Sequence, residues 1–412
     1  MTIGRRARAA GWALAAALPL VVACGGGRSA EPAASATPPA VSAAAPAVAP
    51  TAAPAVADAA LTRAQWLQTV DGYAAAPATI PRAADPAFQR LIATTAWLTI
   101  TADDFARDGA ALLRFFPAVK RLYLALGARA AMDELVSLGE YTLDVYRVML
   151  AAGAELVARL PPGDPTRAAR LHGLETMRFG AAIETCALLY LAIDASAAVR
   201  GAALERLAEP AGYATHSRDG LQLVLATLDE RLLPALRPDL VASYRAVREV
   251  VAAAYAARAV PATGPRTTYQ GAGPPGLDWR QAGTVTSTTG GFAVDVSVGA
   301  IAKRVDAIGR DGAPSAQHWI EWRDGEVEYK AVCFDREPEA ALIAAFQAAP
   351  GAEVQASPAP GTWLAMGDAG RQGWLRIVSI GARACLASVE GPRGSVTAAT
   401  AHGFLRSLRA AR

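Results

Sequence analysis

The chain has 412 residues, 53% of them hydrophobic, and a formal net charge of +3 from 40 Lys+Arg against 37 Asp+Glu. A charge this balanced, with arginines scattered rather than grouped among aromatics, sets nucleic acid aside as a partner. The length suits two or three domains of roughly 100–200 residues each, and abundant alanine biases the chain toward helix.

Residues 1–23 divide into a positive start (Arg5, Arg6, Arg8) and an apolar stretch from Ala9 to Val22. That stretch has signal-peptide length and is shorter than the roughly 20 residues that span a bilayer. Arg5-Arg6 is followed by Ala7-Arg8 rather than by hydrophobic residues, so the pair is read as plain charge and not as a twin-arginine motif. The stretch ends in Val21-Val22-Ala23-Cys24, an apolar residue, two smaller ones and a thiol. This ending resembles the lipobox of bacterial lipoproteins. The resemblance implies cleavage before Cys24 and fatty-acyl chains, palmitate among them, on that residue. Two acyl chains bury enough CH₂ groups for a stable membrane anchor. In that family Gly25, in place of an aspartate, points to the outer membrane of a two-membrane cell. The expected location is therefore the cell envelope, on the periplasmic face or surface of the outer membrane.

Residues 24–60 consist mostly of Ala, Pro, Gly, Ser and Thr. Such a segment cannot bury enough apolar surface to offset its ordering entropy, and it reads as a disordered tether. From Leu61 apolar residues recur at helical spacing, which predicts an all-helical domain over 61–259 with about eight helices. Asp85-Pro86, Asp164-Pro165 and Thr101 with Asp103 and Asp104 carry start signals. Pro161-Pro162-Gly163 closes one helix, and Arg237-Pro238-Asp239 opens the last long one, which ends near Arg258. Leu135 to Leu150 and Phe179 to Ile193 are apolar on most faces and read as core helices. The second is too short for a span and carries Glu184 in its middle. As a buried carboxylate Glu184 needs a partner, for which Arg178 or Arg167 is expected.

Over 265–412 the pattern changes to alternation. Two strands are expected around Thr289-Gly290-Gly291, and His318 to Phe334 reads as a hairpin turning at Asp324-Gly325. A helix over Glu337 to Ala349 follows. Further strands are expected near Glu353–Ala356, Thr362–Met366, Trp374–Ile380 and Ala384–Val389, with a closing helix from Val396 to Leu408. The predicted fold is thus an N-terminal all-helical domain followed by a C-terminal antiparallel-sheet domain with helices on one face. Val327–Asp335, Trp374–Val378, Ala384–Ser388, Glu390–Pro392 and Phe404–Leu408 together resemble the PsbP-like α+β fold. That resemblance implies a binding or assembly module without a catalytic site.

With Cys24 lipidated, three cysteines remain. Cys333 and Cys385 fall in two predicted strands, and a disulfide between them and two buried free thiols both stay open. Cys186 reads as a small buried hydrophobe. The sequence has no G-x-S-x-G elbow, Walker loop, dinucleotide-binding glycine pattern or H-E-x-x-H, and no cysteine pair at zinc spacing. No catalytic residue, metal ligand or cofactor is therefore assigned. His172, His216, His318 and His402 lie in different predicted elements. Thr215-His216-Ser217-Arg218-Asp219 is the densest polar cluster. It is read as a loop in which Ser217 caps the following helix and Asp219 strengthens its first turn. Trp319 and Trp322, beside His318, are read as sheet core ahead of an exposed binding surface. The expected function is a non-catalytic envelope lipoprotein, held on the membrane through Cys24, that binds or organises another envelope component. The alternatives are an envelope hydrolase whose site assembles from distant residues and a carrier of an apolar ligand.

Overall fold

The computed structural model describes residues 61–411 apart from 128, 130, 260–265, 273–282, 297–299, 309–312, 325–326, 348–352, 357–361 and 367–370. Cys24, the apolar leader and the tether lie outside the described residues, as does Gly325 of the expected hairpin turn.

The N-terminal part is helical: α1 (Arg63–Ala75), α2 (Pro86–Ile92), α3 (Ala102–Leu112), α4 (Phe115–Gly127), α5 (Met132–Arg159), α6 (Arg167–Asp194), α7 (Ala197–Leu207), α8 (Arg218–Thr227) and α9 (Pro238–Ala256). Local chemistry sets several starts. Thr62 and Thr101 form reciprocal capping boxes with Gln65 and Asp104. Asp85 caps α2 by accepting from the Ala87 amide at 2.8 Å. These bonds satisfy amides that have no partner within the helix. Asp164 acts differently from the expectation. Its carboxylate accepts from the Thr166 amide at 2.7 Å in a turn, and α6 begins only at Arg167.

The spine is the α5–α6 pair, each helix 28 residues long and so about 42 Å end to end. By length and composition α6 could cross a membrane, but 61% of its apolar window is buried inside the molecule. Its residues from Thr185 to Ile193 are all buried. The apolar run is therefore accounted for by core packing. Trp66, Trp97, Phe115 and Tyr141 form an aromatic cluster at one end of this core.

The C-terminal part is antiparallel sheet. Its strands are β1 (Arg266–Ala272), β2 (Gly283–Ser287), β3 (Phe292–Val296), β4 (Ile301–Ile308), β5 (Pro314–Asp324), β6 (Val327–Phe334), β7 (Glu353–Ala356), β8 (Thr362–Met366), β9 (Arg371–Ile380), β10 (Arg383–Pro392) and β11 (Arg409–Ala410). Its helices are α10 (Glu339–Gln347) and α11 (Ala398–Ser407). Eight strands run in the order β1-β4-β5-β6-β10-β9-β8-β7, and β11-β3-β2 form a smaller sheet. All-helical then antiparallel is the order that the periodicities predict.

Because side chains alternate along a strand, β6 serves two cores. Ala331 and Cys333 face the small sheet and α11 with Phe404 and Leu405, whereas Val332 and Phe334 face α10 with Leu342. The helices therefore flank both faces, where the order strands–helix–strands–helix suggested one. Trp322 and Tyr329, directly opposite across β5 and β6, stack at 4.7 Å, and Phe404 meets Trp322 edge-on. Of the two hairpin tryptophans, Trp322 is thus core, whereas Trp319 is partly buried against the cluster of Val332 and Phe334.

The two parts touch. Tyr269 of β1 is 8% exposed and belongs to the helical core, its ring 5.4 Å from Phe179 of α6. Lys120 of α4 donates to the Arg323 carbonyl at 2.9 Å.

Candidate functional site

Three polar clusters carry the chemistry of the described residues. The first lies where the loop before α8 meets α6. Ser217 caps α8 through the Gly220 amide at 3.0 Å, with Asp219 in the first turn. That cap turns the preceding residue inward, and His216 is only 4% exposed. Its Nε2 lies 2.9 Å from Thr185 Oγ1, while the Thr185 hydroxyl donates to the Ala181 carbonyl at 3.0 Å. A hydroxyl has one hydrogen to give, so Thr185 accepts from His216 Nε2–H. Nδ1 is then a bare lone pair, and it is buried with no protein partner, as is Thr215 Oγ1. Both residues line a small pocket with Leu143, Arg147, Arg206 and Gly212. Asp144 accepts from Arg147 at 3.1 Å and also from Arg206. Burial, with the charges of Arg147 and Arg258, pushes the His216 pKa down to about 4. The imidazole is neutral at pH 7.

The second cluster joins the two sheets. Thr289, in the β2–β3 turn, places Oγ1 3.0 Å from His318 Nδ1, and His318 Nε2 lies 3.1 Å from Asp335 Oδ1. Arg383 donates Nε to that same carboxylate oxygen at 2.8 Å and Nη1 to the Gly290 carbonyl at 2.8 Å. Gln270 of β1 donates to Thr289 Oγ1. The carboxylate fixes Nε2 as the protonated nitrogen, so Nδ1 accepts from the Thr289 hydroxyl. Burial opposes the charged form of Asp335, but the bonds from Arg383 and His318 outweigh it and hold its pKa below the usual carboxylate range. Burial, first of all, lowers the His318 pKa. The order hydroxyl, imidazole, carboxylate is that of a nucleophile relay. However, the two amides that follow Thr289 are engaged within the turn. Gly290 donates to Ser287 Oγ at 3.2 Å and Gly291 to the Ser287 carbonyl at 2.8 Å. Neither is free to stabilise an oxyanion. With His318 only 1% exposed and bonded through both nitrogens, the cluster acts as a clamp between sheets.

The third cluster holds Glu184. Its partner is the Tyr123 hydroxyl of α4, which donates to the carboxylate. Neither expected arginine serves. Arg178 pairs with Glu175, and Arg167 donates to the Val157 and Leu160 carbonyls. The reason is helical phase: Glu184 points between α4 and α5, where its Oε1 lies 3.5 Å from the site of a Cβ on Gly139. Burial pushes its pKa up to about 7 against the opposing Tyr123 bond.

The cysteines are placed as follows. Cys333 and Cys385 sit directly opposite across β6 and β10, and their sulfurs are bonded. Cys186 is buried in α6, where burial pushes the thiol up to about 12. His172 is exposed on α6, and His402 stands edge-on to Trp374. The relay residues Thr289, Asp335 and Arg383 carried no signal in the sequence, because strand pairing alone brings them to His318. Among the described residues no three His, Cys, Asp or Glu gather as metal ligands. Comparisons of the chain with protein-family models, curated proteins and solved structures find no match.

Proposed function

We propose that the protein is a lipoprotein of the cell envelope, anchored by acyl chains on Cys24, whose folded body binds another envelope component rather than transforming a substrate. The observation that carries the anchor is the sequence Val21–Cys24 behind a positively charged apolar leader, followed by a tether without core-forming side chains. The binding part is supported by the His216 pocket, whose lone pair and hydroxyl are buried without protein partners, since buried polar groups are normally satisfied. The test is cell fractionation of Cys24→Ser. The variant is expected in the soluble fraction in a strain that processes other lipoproteins normally. Persistence with the membranes would remove the anchor from the proposal. In-cell crosslinking of the tagged full-length chain is expected to recover a stoichiometric envelope partner.

One observation favours a second function, an envelope hydrolase with a site assembled from distant residues. Thr289 is exposed and stands in the relay with His318 and Asp335. Acyl-ester turnover that disappears in Thr289→Val, with the fold intact by circular dichroism, would favour the hydrolase over the binding protein.

A further inference from the structure

We infer that the pocket beside His216 binds a small oxyanion that carries its own proton, of the phosphate type. The inference deepens the binding part of the function proposed above and is independent of the anchor.

His216 Nδ1 is an acceptor with no protein donor, on a side chain 96% buried by its 4% exposure. Such a group is costly to leave unsatisfied, so an occupant must bring an O–H or N–H to it. Thr215 Oγ1, also buried and without a protein partner, can give or take a hydrogen bond. The charge around the pocket selects among donors. Arg147 and Arg206 line it, and Arg258 bears on His216 from the Tyr213–Ala214 side, where it donates to both carbonyls. Against these stand Asp144, which both lining arginines share, and Glu140, 4.0 Å from Arg206. Burial raises the Glu140 pKa against the opposing charge of Arg206, and with Arg258 three cations stand against two carboxylates. A cationic donor such as an ammonium ion meets this positive field unfavourably, whereas anionic oxygens are drawn to the arginine forks.

Size adds a third condition. The enclosed space is about that of one water molecule. One hydroxyl oxygen therefore enters to face Nδ1 and Thr215, and the charged oxygens remain at the mouth beside the arginines. A fully deprotonated anion such as sulfate fails this arrangement. It presents a lone pair to a lone pair, and His216 cannot easily protonate to receive it. Phosphate keeps at least one P–OH at neutral pH and meets all three conditions.

The full-length chain in detergent micelles, titrated calorimetrically at neutral pH and matched ionic strength, tests this. Inorganic phosphate is expected to bind at least about tenfold more tightly than sulfate, a difference of about 1.4 kcal/mol. His216→Phe keeps a ring and removes the acceptor, and it should abolish that preference. Arg206→Gln changes a partly exposed residue at the rim and leaves the buried imidazole intact. It should weaken phosphate at least about tenfold, with the fold retained by circular dichroism. Equal affinity for the two anions, no binding of phosphate at millimolar concentrations, or unchanged phosphate affinity in Arg206→Gln would each overturn the inference. None of these results bears on the fractionation of Cys24→Ser, so anchor and ligand fail separately.

Discussion

Glu184 and His216 sit in the same helical core with opposite displacements of pKa, one up to about 7 and the other down to about 4. For Glu184 the folded state holds a proton that the unfolded chain releases above about 4.3. Stability therefore falls as pH rises from there to about 7. For His216 the unfolded chain binds a proton below about 6.5 that the folded state refuses, so stability falls as pH drops from there to about 4. Over the shared window the two slopes oppose, each at most about 1.4 kcal/mol per pH unit. Glu184→Gln keeps an acceptor for Tyr123 and removes one slope. Relative to the parent it should gain stability progressively from about pH 4.3 to about pH 7, as read by urea unfolding across that range. A gain independent of pH would mean that the carboxyl is not displaced. The Cys333–Cys385 bond closes a separation of 52 residues. The double Cys→Ala variant is expected to lose about 2–4 kcal/mol, since the reopened chain regains entropy when unfolded. Alkylatable thiols at both positions in non-reducing peptide mapping would rule the bond out.

Helix contacts turn on close approaches. A Cβ at Gly220 of α8 would stand 2.6 Å from the Ala182 Cβ of α6, whereas one at Gly72 of α1 meets nothing within 4 Å. Gly220→Ala should therefore destabilise by about 1–3 kcal/mol through forced separation of the helices. Gly72→Ala should stabilise by about 0.5–1 kcal/mol through lost freedom of the unfolded chain. Thermal unfolding of both variants checks the pair, and the same sign for both would contradict the packing. The starts of capped helices, such as α2, α3 and α8, were legible in the sequence. So were the β2–β3 and β5–β6 pairs. β1 and β4 were not. The faces of β4 carry Lys303, Arg304 and Asp306, which alternation reads as loop. In the sheet Lys303 pairs with Glu321 across β5, and Arg304 pairs with Asp306.

At the scale of the whole molecule, β1 belongs to the large sheet by hydrogen bonding and to the helical core by Tyr269. A Cβ on Gly271, which has φ 89°, would come within 3.2 Å of the Ala226 carbonyl of α8. A chain ending at Ala259 would leave the α8 and Phe179 surfaces uncovered. It should show faster hydrogen exchange in α8 than the full chain does, and unchanged protection there would mean that the helical part is self-sufficient.

Hydrophobic period, caps and turn residues act within a few positions of one another. By itself the sequence therefore determined a helical part followed by an antiparallel part, the burial of α6, and the polarity of the leader and tether. The partners of the polar groups were decided by the tertiary structure alone. Glu184 meets Tyr123 rather than an arginine because of where α4 lies. His318 meets Thr289 and Asp335 because strand pairing folds a turn back onto a strand. His216 becomes a buried acceptor because the loop ahead of α8 closes over α6. Each of these depends on contacts between residues distant in the chain, where burial and charge combine to set the chemistry and local pattern carries no record of them.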